Sequence, residues 1–218
     1  MKNIIVFAAH QDDEVLGCGG ALIKHIRCGD VVQVVFLSDG FSSREFGYNR
    51  DQAAKDVSKL LGCLPPIFIN FPNNRLDTIP LLEVVKHVER IIADFQPDVV
   101  YTHHFGDLNI DHQLVHRAVM TACRPQPGFY VREIYTFEVL SSTNWGSPSM
   151  DGGFNPSYFI DISDVIEEKV SSLRLYDDEM RDYPHARSYE SVRAISILRG
   201  SVVGLKFAEA FQVERLIR

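Results

Sequence analysis

The sequence predicts an α/β fold, one domain over residues 1–218, in which helices cover both faces of a mostly parallel β-sheet. Two observations carry that prediction. Through the first two thirds of the chain, short runs rich in β-branched residues alternate with segments whose apolar residues recur at helical spacing. That order requires right-handed crossovers and parallel pairing. The 218 residues are 45% apolar and 23% charged, which suits a soluble core of ordinary size.

The elements follow in order. Asn3–Ala9 is an apolar run bounded by polar residues and reads as the first strand. Leu16, Leu22, Ile23 and Ile26 recur at helical spacing, so a helix is expected over Gly17–Arg27, with Gly29-Asp30 as its stop. Val31–Leu37 is the second strand, Arg50–Leu61 a helix closed by Gly62, and Pro66–Phe71 the third strand. Leu82, Val85, Val88, Ile91 and Ile92 mark one face of a helix over Leu81–Phe95, and Asp98–Thr102 is the fourth strand. A further helix follows Asp111 towards Cys123, and Glu133–Leu140 reads as a strand. Ser141–Pro156, rich in Ser, Asn, Gly and Pro around the only tryptophan, Trp145, is expected to be a long loop. Phe159–Ile162 is a last strand and Val165–Asp178 a helix. Over Ser188–Phe211, Val192, Ile195, Leu198, Val202, Leu205 and Phe207 predict a long helix interrupted near Gly200 or Gly204. Its apolar face can bury against its own sheet or against a second copy in a homo-oligomer.

Composition removes several classes of function. The net charge is −7 and no Lys/Arg block is dense enough to hold a phosphate backbone, so nucleic acid is not an expected partner. No apolar run approaches the ~20 residues that span a bilayer, and no signal peptide is evident. Cys18, Cys28, Cys63 and Cys123 form no CxxC pair, which fits reduced thiols in a cytoplasmic protein. Cys18 reads as a small space-filling residue near a turn.

Open parallel sheets bind ligands at the carboxyl ends of their strands. Two such ends are rich in donors: His10-Gln11-Asp12-Asp13-Glu14 after the first strand, and the stretch His103–His112 after the fourth. A histidine, a carboxylate three residues later and a second histidine from the other strand end supply the two-nitrogen, one-carboxylate set of hydrolytic zinc sites. Asp12, adjacent to the expected ligand Asp13, is placed to serve as the base. Either aspartate alone reads as a helix cap, but three polar groups converging beyond one apolar strand exceed what a cap needs. His25 and His87 sit within helices and receive no role. Successive strand residues point oppositely, so at most one of His103 and His104 faces the site, and His116 is a supporting group or a neighbour.

Ala8-Ala9-His10-Gln11-Asp12-Asp13-Glu14-Val15-Leu16-Gly17-Cys18-Gly19-Gly20 resembles the A-H-P-D-D-E-x-x-G-x-G-G signature of the LmbE-like, or PIG-L, deacetylases. Leu37-Ser38-Asp39-Gly40, Asp111-His112 and Gly204–Phe211 are also similar to that family. The resemblance implies a Rossmann-like fold and removal of an acetyl group from N-acetylated amino sugars with one Zn²⁺ per chain. It also implies that His10, Asp13 and His112 bind the metal, that Asp12 is the general base, and that Arg50 lies near the substrate. Two positions depart from it. Gln11 replaces a proline, which should alter only the rigidity of the turn. Asn109 stands where many members carry a histidine that helps protonate the leaving amine or stabilise the tetrahedral intermediate. Asparagine can donate to an oxyanion but cannot deliver a proton, so Asp12 is expected to return the proton it took, with His104 or His185 as substitutes. Asp111 is expected to orient a histidine of the site, or to cap the helix through His112.

The expected substrate is a small N-acetylated sugar: a sugar nucleotide, a glycoside, or a polysaccharide or antibiotic precursor. Arg44 and Trp145, with Phe41, Tyr48 and Asn144, offer stacking and hydrogen bonding in the loops Phe41–Asn49 and Ser141–Pro156. Three other functions compete: a non-catalytic sugar-binding member, suggested by Asn109; a zinc amidase for a non-sugar amide; and a nucleotide-binding protein, suggested by Gly17-Cys-Gly-Gly20. The last is disfavoured because Asp12-Asp13-Glu14 would repel a pyrophosphate at that helix end.

Overall fold

The computed structural model describes residues 1–40, 50–147 and 152–218. The strands β1 (Asn3–Ala8), β2 (Val31–Ser38), β3 (Ile67–Phe71), β4 (Val99–His103), β5 (Glu133–Phe137), β6 (Tyr158–Asp161) and β7 (Ala208–Leu216) form one sheet. Its order is β3-β2-β1-β4-β5-β7-β6. The first five strands pair in parallel, and β7 runs antiparallel between β5 and β6. The helices are α1 (Asp13–Arg27), α2 (Arg50–Leu61), α3 (Leu81–Phe95), α4 (Ile110–Ala122), α5 (Ile166–Leu173) and α6 (Tyr189–Val202).

The two-residue period of β1 divides the core. Ile4, Val6 and Ala8 pack with Val34 and Phe36 against α1, α2 and α5 on one face. Ile5, Phe7 and Ala9 pack with Val35 and Leu37 against α3 and α4 on the other. Both faces are therefore covered, as the apolar strand runs require. Chain order reverses between β1 and β4, whose carboxyl ends lead directly into His10–Asp13 and His103–His112. That is the switch point where such sheets leave a crevice.

Several boundaries differ from expectation; the helix expected over Val165–Asp178, for one, is α-helical only over Ile166–Leu173 and continues as a 3₁₀ turn, Arg174–Glu179. The first helix begins at Asp13, four residues before Gly17, because it has a break at Cys18 (φ −145°, ψ 17°) that periodicity alone did not reveal. The backbone N–H groups freed by that break, at Gly20 and Ala21, donate to the two carboxylate oxygens of Glu209 at 2.8 and 2.7 Å. Gly17 lies on Phe137 so closely that a Cβ there would stand 2.2 Å from the ring. The fifth strand stops at Phe137, short of Leu140. The largest difference is the tail: α6 ends at Val202, Gly204 takes a left-handed φ of +78°, and Ala208–Leu216 is a strand, not a continued helix. Ala208 to Phe211 are all buried because β7 is an interior strand, so no alternation marked it.

Among the described residues, no helix is long and apolar enough to cross a membrane.

Candidate active site

The turn after β1 is held in an uncommon conformation. Asp12 has φ 119°, a region that side-chain-bearing residues rarely adopt and that surrounding contacts must support. Its N–H donates to Glu14 Oε2 at 3.0 Å, and Tyr176 donates to Glu14 Oε1 at 2.7 Å. Burial pushes the Glu14 carboxyl up to about 8, opposed by the Tyr176 hydrogen bond. Asp12 does not cap α1 with its side chain. Its Oδ2 instead accepts from Arg187 Nη1 at 2.6 Å. Burial raises its carboxyl to about 6 against the pull of Arg187.

Beside it, His10 Nδ1, Asp13 Oδ2 and His112 Nε2 converge. The edges of this triangle are 3.3 Å (His10–Asp13), 3.3 Å (Asp13–His112) and 3.2 Å (His10–His112). Donors about 2.1 Å from one tetrahedral zinc stand about 3.4 Å apart, so the set fits that ion. Asp13 Oδ1 is buried with no hydrogen-bond partner, an orphan that a cation would satisfy. Among the described residues these three form the group able to hold a metal.

Each histidine is fixed by its own carboxylate. Asp111 Oδ2 lies 3.1 Å from His10 Nε2, and the Asp111 carboxylate also accepts the Asn74 and Leu76 N–H groups at 2.8 and 3.0 Å. Asp107 Oδ2 lies 3.1 Å from His112 Nδ1 and accepts from Thr143 at 2.6 Å, while Ser142 Oγ donates to Oδ1. These contacts place the ring protons on the outer nitrogens and leave the inner lone pairs for a cation. Burial alone would raise the Asp107 carboxyl, but His112 brings it to about 2. Burial likewise disfavours charge on His112, and Asp13 with Asp107 overcomes it, raising the ring to about 10. The same negative surroundings hold a metal in place of that proton. Asp107→Asn is expected to weaken metal binding about 10- to 100-fold by removing one orienting acceptor. Competition against a chelator of known affinity measures it.

The remaining expected site residues are distributed as follows. Asn109, not Asp111, caps α4: its Oδ1 accepts the Asp111 N–H at 2.9 Å. Its amide NH₂ group is thereby the part left to serve a ligand. Arg50 is buried and ion-paired with Glu179. A polar cavity of about 90 Å³ is lined by His10, Asp12, Arg50, Asn109, Glu179 and Arg187, together with Asn73 and Asn74. His104 is not among these residues; its Nε2 lies 2.7 Å from the Gly152 carbonyl oxygen. His103 is the ring that meets the site, stacked on His112 with centroids 3.9 Å apart and accepting the Ala9 N–H on Nε2. His185 and Trp145 meet edge to face at 5.4 Å, and Trp145 is half exposed. Arg44, with Phe41 and Tyr48, lies outside the described residues. Gln11 does more than loosen a turn: its amide donates to Asp51 at 3.0 Å and to the Ser38 carbonyl at 3.4 Å, bonds that proline cannot make.

Sequence reasoning missed Asp107, Glu179 and Arg187, and of the pair His103 and His104, at most one of which was expected to face the site, it assigned the role to His104 where the structure brings in His103. A second carboxylate before His112 was a usable signal for Asp107, since metal-bound histidines need an acceptor each. Arg187 and Asp12 are 175 residues apart, and nothing local joins them.

The family description GlcNAc-PI de-N-acetylase, PIG-L, matches residues 5–123, more than half of the chain and all three donor residues. The chain belongs to the PIG-L family. Membership makes it an amide-hydrolysing enzyme, an N-deacetylase. Among PIG-L-like relatives, the uncharacterized deacetylase YaiS of Escherichia coli is 34% identical over 131 residues, covering 58% of this chain and 70% of YaiS. The N,N'-diacetylchitobiose deacetylase of Pyrococcus horikoshii superposes with a TM-score of 0.79 at 21% identity, covering 97% of this chain and 83% of that one. GalB of Pseudomonas putida, a 4-carboxy-2-hydroxymuconate hydratase, superposes at 0.75 with 21% identity, covering 100% and 99%. The fold is thus shared across different reactions, and the side chains of the site must identify the substrate.

Proposed function

We propose that this PIG-L chain is a zinc-dependent hydrolase that removes the acetyl group from an N-acetylated amino sugar. The observation that carries the reading is the His10–Asp13–His112 triangle, with Asp12 beside it, opening on a polar cavity. Zinc held by His10, Asp13 and His112 would supply Lewis acidity, which makes water a stronger acid near neutral pH.

The chain's own groups supply the rest. Asp12 takes a proton from the attacking water and returns it to the nitrogen as the C–N bond breaks. Asn109 is the hydrogen-bond donor for the developing oxyanion, since its Oδ1 is committed to the helix cap. Asp107 and Asp111 hold the ligand rings in the tautomer that faces the metal. For the sugar, Trp145 offers an exposed ring face, His185 braces it, and Arg50 reaches the cavity. The family description, GlcNAc-PI de-N-acetylase, supports an N-acetylglucosamine-type substrate. Four free cysteines are in keeping with action in the cytoplasm.

The test is acetate release from a panel of N-acetylhexosaminides, chito-oligosaccharides and sugar nucleotides, alongside non-sugar acetamides. Activity on at least one sugar is expected, abolished by a chelator and restored by Zn²⁺. Turnover that survives complete metal removal would defeat the mechanism, and exclusive turnover of non-sugar acetamides would make the chain a general amidase.

A further inference from the structure

An alternating row of charges crosses the cavity. Asp12 Oδ2 accepts from Arg187 Nη1 at 2.6 Å; the same Nη1 lies 3.8 Å from Glu179 Oε2; and Glu179 Oε1 pairs with Arg50 Nη2. The row is assembled from four separate places: the turn after β1, the segment between the 3₁₀ turn Arg174–Glu179 and α6, that 3₁₀ turn itself, and the first residue of α2. Arg187 is also anchored at its other end. Its Nε donates to Ser141 Oγ at 2.7 Å, and its backbone N–H donates to His185 Nδ1 at 3.0 Å. A guanidinium held on several sides is a rigid fork whose direction is set before any ligand arrives.

We infer that Arg187 is a positioning residue for the hydrolysis: it occupies Asp12 Oδ2 and so makes Oδ1 the single oxygen that carries the proton in both halves of the reaction. This rests on the deacetylase reading above. A base that must return its proton to a different atom has a stricter geometric task than one that only removes it, because water oxygen and amine nitrogen must both come within reach of one lone pair. Here that task falls on Asp12, since Asn109 has no proton to give.

The steps balance. As the water oxygen bonds to the acetyl carbon, its proton passes to Asp12 Oδ1 and the carbonyl pair moves onto oxygen. When that pair returns, the C–N bond breaks with its electrons on nitrogen, and Oδ1 delivers the proton there, leaving acetate and the free amine after loss of the second water proton to solvent. Between these steps Asp12 is neutral and its attraction for Arg187 falls. Glu179 and Ser141 then keep the guanidinium in place, which gives the row its purpose beyond the first pair.

The experiment compares zinc-loaded wild type with Arg187→Ala, Arg187→Lys and Ser141→Ala on a sugar that the wild type deacetylates. Zinc content and thermal melting are followed for every variant. For Arg187→Ala, kcat is expected to fall about 100-fold, the scale of a ~1 Å misplacement, with KM within about threefold and zinc content unchanged. Millimolar methylguanidinium is expected to restore at least about tenfold of the loss in Arg187→Ala and nothing in Arg187→Lys. Ser141→Ala, which removes only the Nε anchor, should show a smaller kcat loss of the same kind. An Arg187→Ala kcat within about threefold of wild type overturns the inference, as does a loss confined to KM or one that methylguanidinium leaves untouched while zinc and melting are normal. If the alanine variant does not fold, the Ser141→Ala and Arg187→Lys kcat values decide, and wild-type values in both overturn it. A wild type that releases no acetate from any sugar fails before the variants are compared and defeats the deacetylase reading instead.

Discussion

Asp12→Asn is expected to lower deacetylation about 100- to 10,000-fold while leaving the metal bound. The substitution changes one atom of the side chain, and asparagine tolerates the positive φ that Asp12 adopts, so the turn keeps its shape. Its carbonyl can still accept from Arg187. None of the three proposed metal donors is touched: His10 remains on Asp111, His112 on Asp107, and Asp13 accepts the His10 backbone N–H at 2.8 Å. What is lost, on the proposed mechanism, is the ability to take a proton from water and to give it back. Acetate release and zinc content measured on the same preparation separate these effects. Unchanged turnover would remove Asp12 from the mechanism, and loss of zinc would show that its role is structural.

The second large effect is on stability and lies outside the cavity. Glu209→Ala is expected to destabilise the fold by about 3–5 kcal/mol. Lys169 and Glu209 are both buried, paired at 2.6 Å, and Lys169 donates a second bond to the Leu16 carbonyl at 3.0 Å. Removing the carboxylate strands an ammonium in the core and also uncaps the Gly20 and Ala21 N–H groups at the α1 break. For a chain of this length the loss corresponds to a fall in melting temperature of roughly 10 °C. Glu209→Gln combined with Lys169→Met should be milder, because no unpaired charge remains and the amide oxygen still accepts one N–H. A Glu209→Ala melting temperature equal to wild type would show that the break needs no cap.

The sequence was most legible where local pattern and tertiary role coincide. β1, β2 and β4 are almost entirely buried and mostly apolar because both faces are covered, with Gln33 the interior exception in β2, and the donors at the ends of β1 and β4 stand out against that background. His10 and Asp13 share one turn, so their partnership has a short sequence signature. Contacts closed only by the fold were not legible. Asp12 meets Arg187, and Gly20 meets Glu209, across most of the chain length. β7 was hidden because Ala208, Glu209, Ala210 and Phe211 are buried on both faces, and an interior strand of small and polar residues shows neither a helical nor an alternating period. Asn109 read as a departure from a catalytic pattern; the fold adds that it also caps α4 with its side chain, which ties that position to helix stability as well as chemistry.

The capping of α1 by β7 sets an order of events during folding. The helix that carries Asp13 is synthesised well before its cap, because the acceptor for its buried Gly20 N–H is 189 residues downstream. Until that strand slides between β5 and β6, the break in α1 has two backbone donors without protein partners, and the turn above it lacks a rigid base. Closing so distant a contact is slow compared with forming the local helices and hairpins. The catalytic end of the sheet is therefore expected to be among the last parts to become protected against hydrogen exchange, after the β1–β4 core that frames it.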